Sequence, residues 1–160
     1  MNTLKFNRID TCLLLVRISL GIVVAAHGAQ KLLGWFDGYG FNGTMHFFTN
    51  TIGLPYTLGV LIILIESLGM IALMTGLFNR LIAGSLIIIM LGAIFTTHGQ
   101  FGFFMNWSGN QIGEGFEFHL LAIGLSAVIL INGGGAYSLG HILIRKYQSF
   151  RTRKPVSIKM

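Results

Sequence analysis

The stretch from Leu13 to Leu33, LLLVRISLGIVVAAHGAQKLL, constrains the fold most, because it is long and apolar enough to cross a bilayer. A hydrocarbon core of about 30 Å is crossed by roughly 20 apolar residues in a helix. The stretch nevertheless carries Arg17, His27, Gln30 and Lys31. An ionisable group costs several kcal/mol in lipid, so these side chains must face protein or water. The stretch therefore predicts a membrane helix with an inward-facing polar side.

Helical periodicity collects the small and polar residues of this stretch on one face. With a turn of roughly 100° per residue, a single stripe contains Arg17, Gly21, Val24, Gly28 and Lys31, with His27 at its edge. The opposite face consists of Leu, Ile and Val. We expect the stripe to pack against other helices.

The composition supports one integral membrane domain over residues 1–160. Hydrophobic residues make up 53% of the chain and charged residues 10%, whereas charged residues are near a quarter of an ordinary soluble domain. Basic residues outnumber acidic ones by 11 to 5, but six of the basic residues lie in 145–160. Such flanking charge orients membrane proteins, so no nucleic-acid partner is expected. We interpret the first apolar run as a retained span and not as a signal peptide, because Arg17 interrupts it.

Four apolar runs predict spans at residues 12–33, 54–77, 81–98 and 116–133. The turn between the second and third runs is so short that these two must be antiparallel neighbours. The predicted fold is an all-α, four-transmembrane-helix up-down bundle with aromatic-rich outer loops, and the first loop includes a short interfacial helix over residues 44–50. Glycines recur within every span, where we expect them to permit close helix packing.

The distribution of basic residues predicts the topology. They cluster at both termini and at the turn that contains Arg80, so the positive-inside rule places these regions in the cytoplasm and both aromatic loops outside. Residues 141–160 form a basic cytoplasmic tail that we expect to meet anionic lipid. The expected location is the bacterial plasma (inner) membrane, as a multi-pass protein.

Two charged residues inside the predicted spans suggest a buried ion pair. Arg17 lies near the cytoplasmic end of the first span and Glu66 near the middle of the second. Their backbones should differ in depth by roughly 10 Å, which extended side chains can bridge. A structural pair is the favoured interpretation, and a proton or ligand role for Glu66 is the alternative.

Five polar residues converge at the outer ends of the predicted helices. They are His27, Gln30, Lys31, His98 and Glu117. With Trp35 and Trp107 at its rim, this candidate site offers donors to the two carbonyls of a quinone-like headgroup. Interfacial snorkelling and loop capping are the alternative roles.

Helical spacing also sorts the residues of the fourth span. Glu117 shares a face with Leu121, Gly124 and Val128, which we predict to be the packed face. His119 should face elsewhere, and His46 in the first loop has no expected partner. No metal or nucleotide is predicted, because Cys12 is the only cysteine and no ligand spacing or phosphate-binding loop is present.

Several blocks of the chain resemble, in order, those of the DoxX family of small four-helix membrane proteins. The blocks are LLLVRISLGIVVAAHGAQKLLGWFDGYGFNGT, IGLP, IESLGMIALMTGLFNRL, MLGAIFTTHGQFGFF, GEGFEFHLL and GGGAYSLG. The family often has Pro-Gly-Arg-Tyr-Ser-Leu-Asp after the last span, where this chain has GGAYSLG at 134–140. The family is similar to the DoxD-type subunit of thiosulfate:quinone oxidoreductase, and members are linked to redox stress and to superoxide-detoxifying and sulfur-handling partners. The resemblance implies quinone and thiol redox chemistry.

Three functions are compatible with these observations. The leading hypothesis is a redox-associated membrane protein that binds quinone or a similar lipophilic molecule at the outer face, as a subunit of a larger oxidoreductase. The first alternative is a non-catalytic scaffold or assembly protein for redox-stress partners, and the second is a small-molecule or proton transporter. Whether the chain is an enzyme, a homo-oligomer or a partner of redox enzymes stays open at this point.

Overall fold

The structure, a computed structural model, describes residues 7–152, with side chains for residues 7–149. Six helices form within this range: α1 (Arg8–Leu33), α2 (Gly40–His46), α3 (Tyr56–Thr75), α4 (Asn79–Phe101), α5 (Glu117–Asn132) and α6 (Leu139–Thr152). Residues 153–160 of the predicted tail and residues 1–6 lie outside the described range.

The all-helical bundle predicted from the sequence is confirmed. Helices α1, α3 and α4 are each long and apolar enough to cross a membrane. The fourth apolar helix, α5, has 16 residues and is shorter than the other three. The bounds of the four predicted spans agree with those of α1, α3, α4 and α5 to within a few residues. The length of an apolar run can be read from the sequence alone. The predicted interfacial helix corresponds to α2 and the helical turn that follows it.

Local signals fix where the helices begin and end. The side chain of Asn7 accepts a hydrogen bond from the Ile9 amide and caps the start of α1. Helix α3 ends at Gly76, whose φ of +88° is a left-handed conformation that favours glycine. The chain then reverses within three residues, and Asn79 begins α4. Because the reversal is so short, α3 and α4 run antiparallel at this end of the bundle.

Three helical segments contain a π-turn, in which each backbone amide bonds to the carbonyl five residues earlier. These are Phe47–Thr51 after α2, Ile65–Gly69 within α3 and Ile94–His98 within α4. A π-turn is a rare insertion that is frequently found at functional sites. The sequence did not predict any of them.

All four apolar helices contribute to the main hydrophobic core. Its buried members are Leu20, Val24, Met70, Leu73, Ile82, Ala83, Leu86, Met90, Ala122 and Ile129. Helix α1 packs against α2, α5 and the second half of α3, while α4 packs most extensively on α5. A smaller core of Met45, Phe48 and Ile63 joins α2 and its π-turn to the first half of α3.

The predicted polar stripe of α1 is confirmed as its buried face. Arg17, Gly21, Val24 and Gly28 are all buried. At Gly28 the backbones of α1 and α3 approach so closely that only glycine fits, because a Cβ atom there would collide with the main chain at Glu66 and Ser67 of α3. The small residue therefore sets the register between α1 and α3.

The predicted packed face of α5 is wrong. The buried residues of α5 are His119, Ala122, Ser126 and Ile129, whereas Leu121 is 69% exposed. Helix α5 is apolar on nearly all sides, so periodicity did not identify its interior face, and the small residues Ala122 and Ser126 provide the close fit instead. Gly124 is exposed, with open space around the position of a Cβ, and the same holds for Gly92 of α4.

Candidate functional site

A cavity of about 910 Å³ lies between α3 and α4, next to the end of α1 and to the α2 segment. Most of its wall is apolar, formed by Phe47, Phe48, Ile52, Leu54, Leu58, Ile62, Ile88, Ile89, Gly92 and Ala93. Its polar lining comprises Gln30, Lys31, Asp37, Tyr39, Thr44, His46, Thr51, Glu66, Thr96, Thr97 and His98. A mostly apolar cavity with a few polar groups is typical of a small-molecule site.

Lys31 of α1 and Glu66 of α3 form an ion pair on the cavity wall. The Lys31 ammonium donates to Glu66 Oε2. Glu66 is 2% exposed, while the Lys31 side chain is 29% exposed. The close contact of Gly28 with the Glu66 backbone brings α1 near enough for Lys31, one turn further along, to reach the carboxylate. The pair leaves ammonium donors of Lys31 free to face the cavity.

All three π-turns of the described residues contribute side chains to this cavity. The turn after α2 supplies Phe47, Phe48 and Thr51, the turn in α3 supplies Glu66, and the turn in α4 supplies Thr96, Thr97 and His98. A π-turn inserts one extra residue and so redirects the side chains that follow it. Local helix distortion and the cavity therefore coincide in three separate segments.

His98 is held in one orientation at the cavity wall. Its Nδ1 lies 2.8 Å from the carbonyl oxygen of Glu114. Because a carbonyl only accepts, Nδ1 is the donor, and Nε2 is able to accept a hydrogen bond when it carries no proton. On its other side the ring packs against His119 of α5, with the two ring centroids 4.2 Å apart.

The cavity adjoins the apolar exterior of the bundle. Leu58 on α3 and Ile88 on α4 both line the cavity, and they are 42% and 72% exposed on the protein surface. Gly92, one turn from Ile88, leaves open space beside the cavity. In a membrane these surfaces meet lipid, so the cavity lies next to the lipid-facing side of α3 and α4.

The structure divides the candidate residues predicted from the sequence into two groups. Gln30, Lys31 and His98 line the cavity. The four others are near its end of the bundle but do not line it: His27, Trp35, Glu117 and Trp107. His27 bonds to the Gln30 side chain at 3.2 Å and packs against Phe118, which places it at the edge of α1 toward α5.

Sequence reasoning missed several cavity residues. His46, Thr96 and Thr97 were not considered as ligand contacts, and Glu66 was assigned to a different partner. The available signal was a carboxylate near the middle of an apolar span, which by default marks a functional site. The threonines carried no such signal, because hydroxyl groups are common within membrane helices.

The predicted ion pair between Arg17 and Glu66 is not formed. Arg17 is fully buried and donates to the carbonyl oxygens of Leu73, Met74 and Tyr137, at distances of 3.2–3.4 Å. The Leu73 and Met74 carbonyls lie in the last turn of α3, where α-helical hydrogen bonding ends, and the Leu73 carbonyl also accepts from the Gly76 amide at 3.1 Å. Lys31 is the residue of α1 that lies opposite Glu66.

Glu117 supports a loop and does not join the cavity. Its Oε1 accepts hydrogen bonds from the Met105 amide at 3.0 Å and from Trp107 Nε1 at 2.7 Å. His119, which was expected to face elsewhere, is the buried residue of this turn and contacts His98. Because the interior face of α5 passes through His119, Glu117 is directed to the loop between α4 and α5.

Metal coordination has no geometric basis in the described part of the chain. Across residues 7–152, no three His, Cys, Asp or Glu side chains are grouped as ligands of one metal ion. The chemistry available at the cavity is hydrogen bonding and charge, supplied by the ammonium of Lys31, the carboxylate of Glu66 and the imidazole of His98.

Comparison with known proteins gives two matches. A sequence model of the DoxX family matches residues 12–99, which contain Gln30, Lys31, Glu66 and His98. A protein of Bacillus subtilis (strain 168) named "Putative oxidoreductase CatD" is 34% identical over 83 residues, which are 52% of this chain and 57% of that protein. The alignment thus spans little more than half of the relative. No solved structure matches the chain.

Proposed function

Because the chain belongs to the DoxX family, whose sequence model covers residues 12–99, we propose that it is a membrane protein that binds a quinone or a similar lipophilic molecule in the cavity between α3 and α4. The cavity residues Gln30, Lys31, Glu66 and His98 all lie within the family match. The similar protein of B. subtilis carries an oxidoreductase name, which supports a redox ligand over a purely structural lipid.

One observation carries the proposal: an ion pair with a buried carboxylate and a partly exposed lysine forms part of an apolar cavity that adjoins the lipid-facing surface. An ion pair buried only for packing adds little stability, because the desolvation cost of its two charges offsets their Coulomb attraction. The Lys31–Glu66 pair is instead accessible from a cavity of about 910 Å³. A ligand with an apolar tail and a polar head fits both parts of this cavity.

The polar groups of the cavity favour a headgroup with oxygen atoms on opposite sides of a ring. Lys31 has donors beyond the one used by Glu66, so it suits a carbonyl oxygen of the ligand. His98 presents Nε2 as an acceptor, which suits a hydroxyl group. A quinone offers carbonyls and its reduced form offers hydroxyls, so this pair of residues provides contacts to both forms.

The proposed topology places both termini in the cytoplasm and the cavity toward the outside of the bacterial plasma membrane. Arg8, Arg80 and the basic residues of α6 lie on the end of the bundle at which α3 meets α4, and positive charge favours the cytoplasmic side. Reporter fusions test this arrangement. A fusion at Tyr147 should be active only as a cytoplasmic reporter and one at Ser108 only as an external reporter; the reverse pattern would contradict the topology.

We propose further that the protein acts as a subunit of a membrane oxidoreductase, with electrons supplied by a protein partner. The loop between α4 and α5 exposes large apolar side chains, since Trp107 is 84% exposed and Ile112 is fully exposed. Such residues favour a protein contact. Under the alternative of a scaffold protein, the partner would co-purify but no quinone would be retained.

The decisive experiment is a calorimetric titration of the purified protein in nanodiscs with a short-chain quinone. The wild type should show saturable binding. Gly92→Leu places a side chain in open space beside the cavity, so it should reduce affinity by roughly tenfold or more as it fills the ligand volume. Gly124→Leu is the matched control, because Gly124 also has open space around it but does not line the cavity. Absence of saturable binding by the wild type, or equal affinity of the two variants, would overturn the proposal.

A further inference from the structure

The helix that follows the bundle, α6, is exposed along the part whose side chains the structure describes. From residue 141 to residue 149 every described side chain of α6 is exposed. Leu139, Leu143 and Tyr147 recur at intervals of four and are 45%, 58% and 68% exposed. Residues at this spacing lie on one side of a helix, so α6 carries an apolar stripe that is open to its surroundings.

Of Asp, Glu, Lys and Arg, only the basic side chains occur in the C-terminal part of the chain. From residue 118 to residue 160 the sequence contains six basic residues and no acidic residue. Arg145 lies on the side of α6 away from the apolar stripe, and Lys146 lies at the edge of the stripe. A helix with an apolar stripe and basic flanks is typical of one that lies in the plane of an anionic membrane surface.

The start of α6 is held at the end of the bundle by partly buried hydrogen bonds. Asp10 Oδ1 accepts from the Ala136 amide at 2.7 Å, Arg17 Nη2 donates to the Tyr137 carbonyl at 3.3 Å, and the Gly140 amide donates to the Gly76 carbonyl at 3.2 Å. Gly76 is where α3 ends, so the first turn of α6 lies at the level at which the membrane helices end. The helix is about 21 Å long, and its stripe stays unburied unless α6 lies along the bilayer.

We propose that α6 lies on the surface of the anionic leaflet, with Leu139, Leu143 and Tyr147 inserted among the acyl chains and Arg145 and Lys146 at the lipid phosphates. A second copy of α6 fits this surface poorly, because the two helices would bring like charges together. The anchoring by Arg17 and Asp10 reduces the entropy lost when α6 binds, because the start of the helix is already in place.

Fluorescence of full-length protein in nanodiscs tests the proposal. With Cys12→Ser as the background, Tyr147→Cys carries an environment-sensitive dye on the stripe, and His141→Cys carries it on the polar side as the matched control. In nanodiscs with 30% phosphatidylglycerol, the dye at 147 should be blue-shifted and protected from iodide, whereas the dye at 141 should be quenched. In pure phosphatidylcholine the protection at 147 should decrease.

Charge reversal distinguishes a lipid surface from other partners. Arg145→Glu combined with Lys146→Glu should lower the equilibrium constant for surface binding by roughly thirtyfold or more, from the loss of two electrostatic attractions, while quinone binding stays unchanged. Equal quenching at 147 and 141 in anionic nanodiscs would overturn the proposal. Protection at 147 that is the same in both lipids, or that depends on two protein copies per disc, would also overturn it.

Discussion

Arg17 and Glu66 are both buried charges at the contact between α1 and α3, yet they are compensated by different kinds of group. Arg17 is surrounded by main-chain carbonyls of two segments. Glu66 meets one side chain, Lys31, at the wall of a cavity. Main-chain carbonyls are fixed in place, whereas a partly exposed lysine can move. A buried charge in a membrane helix is therefore compensated by fixed main-chain carbonyls at one end of this bundle and by a cavity-lining side chain at the other.

The largest effect should follow the loss of Arg17. Arg17→Met leaves the carbonyls of Met74 and Tyr137 without the guanidinium donor and removes one of the two donors to the Leu73 carbonyl, so we expect the free energy of unfolding to fall by about 3 kcal/mol or more. Thermal unfolding followed by circular dichroism in detergent measures the loss. Arg17→Lys, which keeps the charge but not the planar set of donors, should fall in between. A melting temperature of Arg17→Met equal to that of the wild type would contradict the structural role.

A smaller loss should separate two glycines on the same face of α1. Gly28→Ala would place its Cβ against the Glu66 main chain, so the helices must move apart, at a cost of about 1–3 kcal/mol. Gly21→Ala meets Cγ and Sδ of the Met74 side chain, which can change rotamer and is not main chain, so its cost should be below about 1 kcal/mol. Chemical or thermal unfolding of the two variants gives the ranking. Equal losses would show that Gly28 does not set the register.

Coupling measurements should distinguish the observed pair from the pair expected from the sequence. Lys31→Met and Glu66→Gln should be non-additive in the free energy of unfolding, with an interaction on the order of 1 kcal/mol. Arg17→Met and Glu66→Gln should be additive within about 0.5 kcal/mol, because the two residues share no partner. The opposite pattern would restore the Arg17–Glu66 pair.

The same variants should affect the ligand differently. Glu66→Gln leaves a lysine that is 29% exposed and can turn toward water, so its cost in stability should be modest. Its affinity for a short-chain quinone should nevertheless decrease by roughly tenfold, because Lys31 loses the group that positions it. Titration at a temperature at which each variant is folded separates affinity from stability. An unchanged affinity would remove the pair from the binding site.

The sequence predicted the helices and the buried face of α1 well, because apolar length and a polar stripe are local properties of the chain. It failed where two helices must be aligned. Glu66 was paired with Arg17 and not with Lys31, since the relative depth of these residues depends on the register that Gly28 sets between α1 and α3. The interior face of α5 was missed because apolar residues surround the helix on nearly all sides.

The cavity itself had no equivalent signal in the sequence. It arises where α3 and α4 enclose space beside the α2 segment, and it is lined by Glu66 and His98, which both lie in π-turns. A π-turn depends on packing and not on a residue pattern. Sequence reasoning identified Gln30, Lys31 and His98 because they share one membrane depth. It grouped them with Glu117, which lies at the same depth but whose side chain bonds to the loop between α4 and α5.

The smallest effect should be that of Glu117, which lies at the cavity end of the bundle but outside the cavity. Its carboxylate accepts bonds from Met105 and Trp107, and it is partly exposed to solvent. Glu117→Gln keeps an oxygen acceptor, so we expect the free energy of unfolding to change by less than about 1 kcal/mol. Quinone affinity should stay within about twofold of the wild type, since no ligand contact is lost. Indole fluorescence of Trp107 reports the loop, and calorimetric titration beside Glu66→Gln reports the ligand. If Glu117→Gln weakened binding as much as Glu66→Gln, the ligand would lie beneath the loop between α4 and α5, and the cavity between α3 and α4 would lose its role.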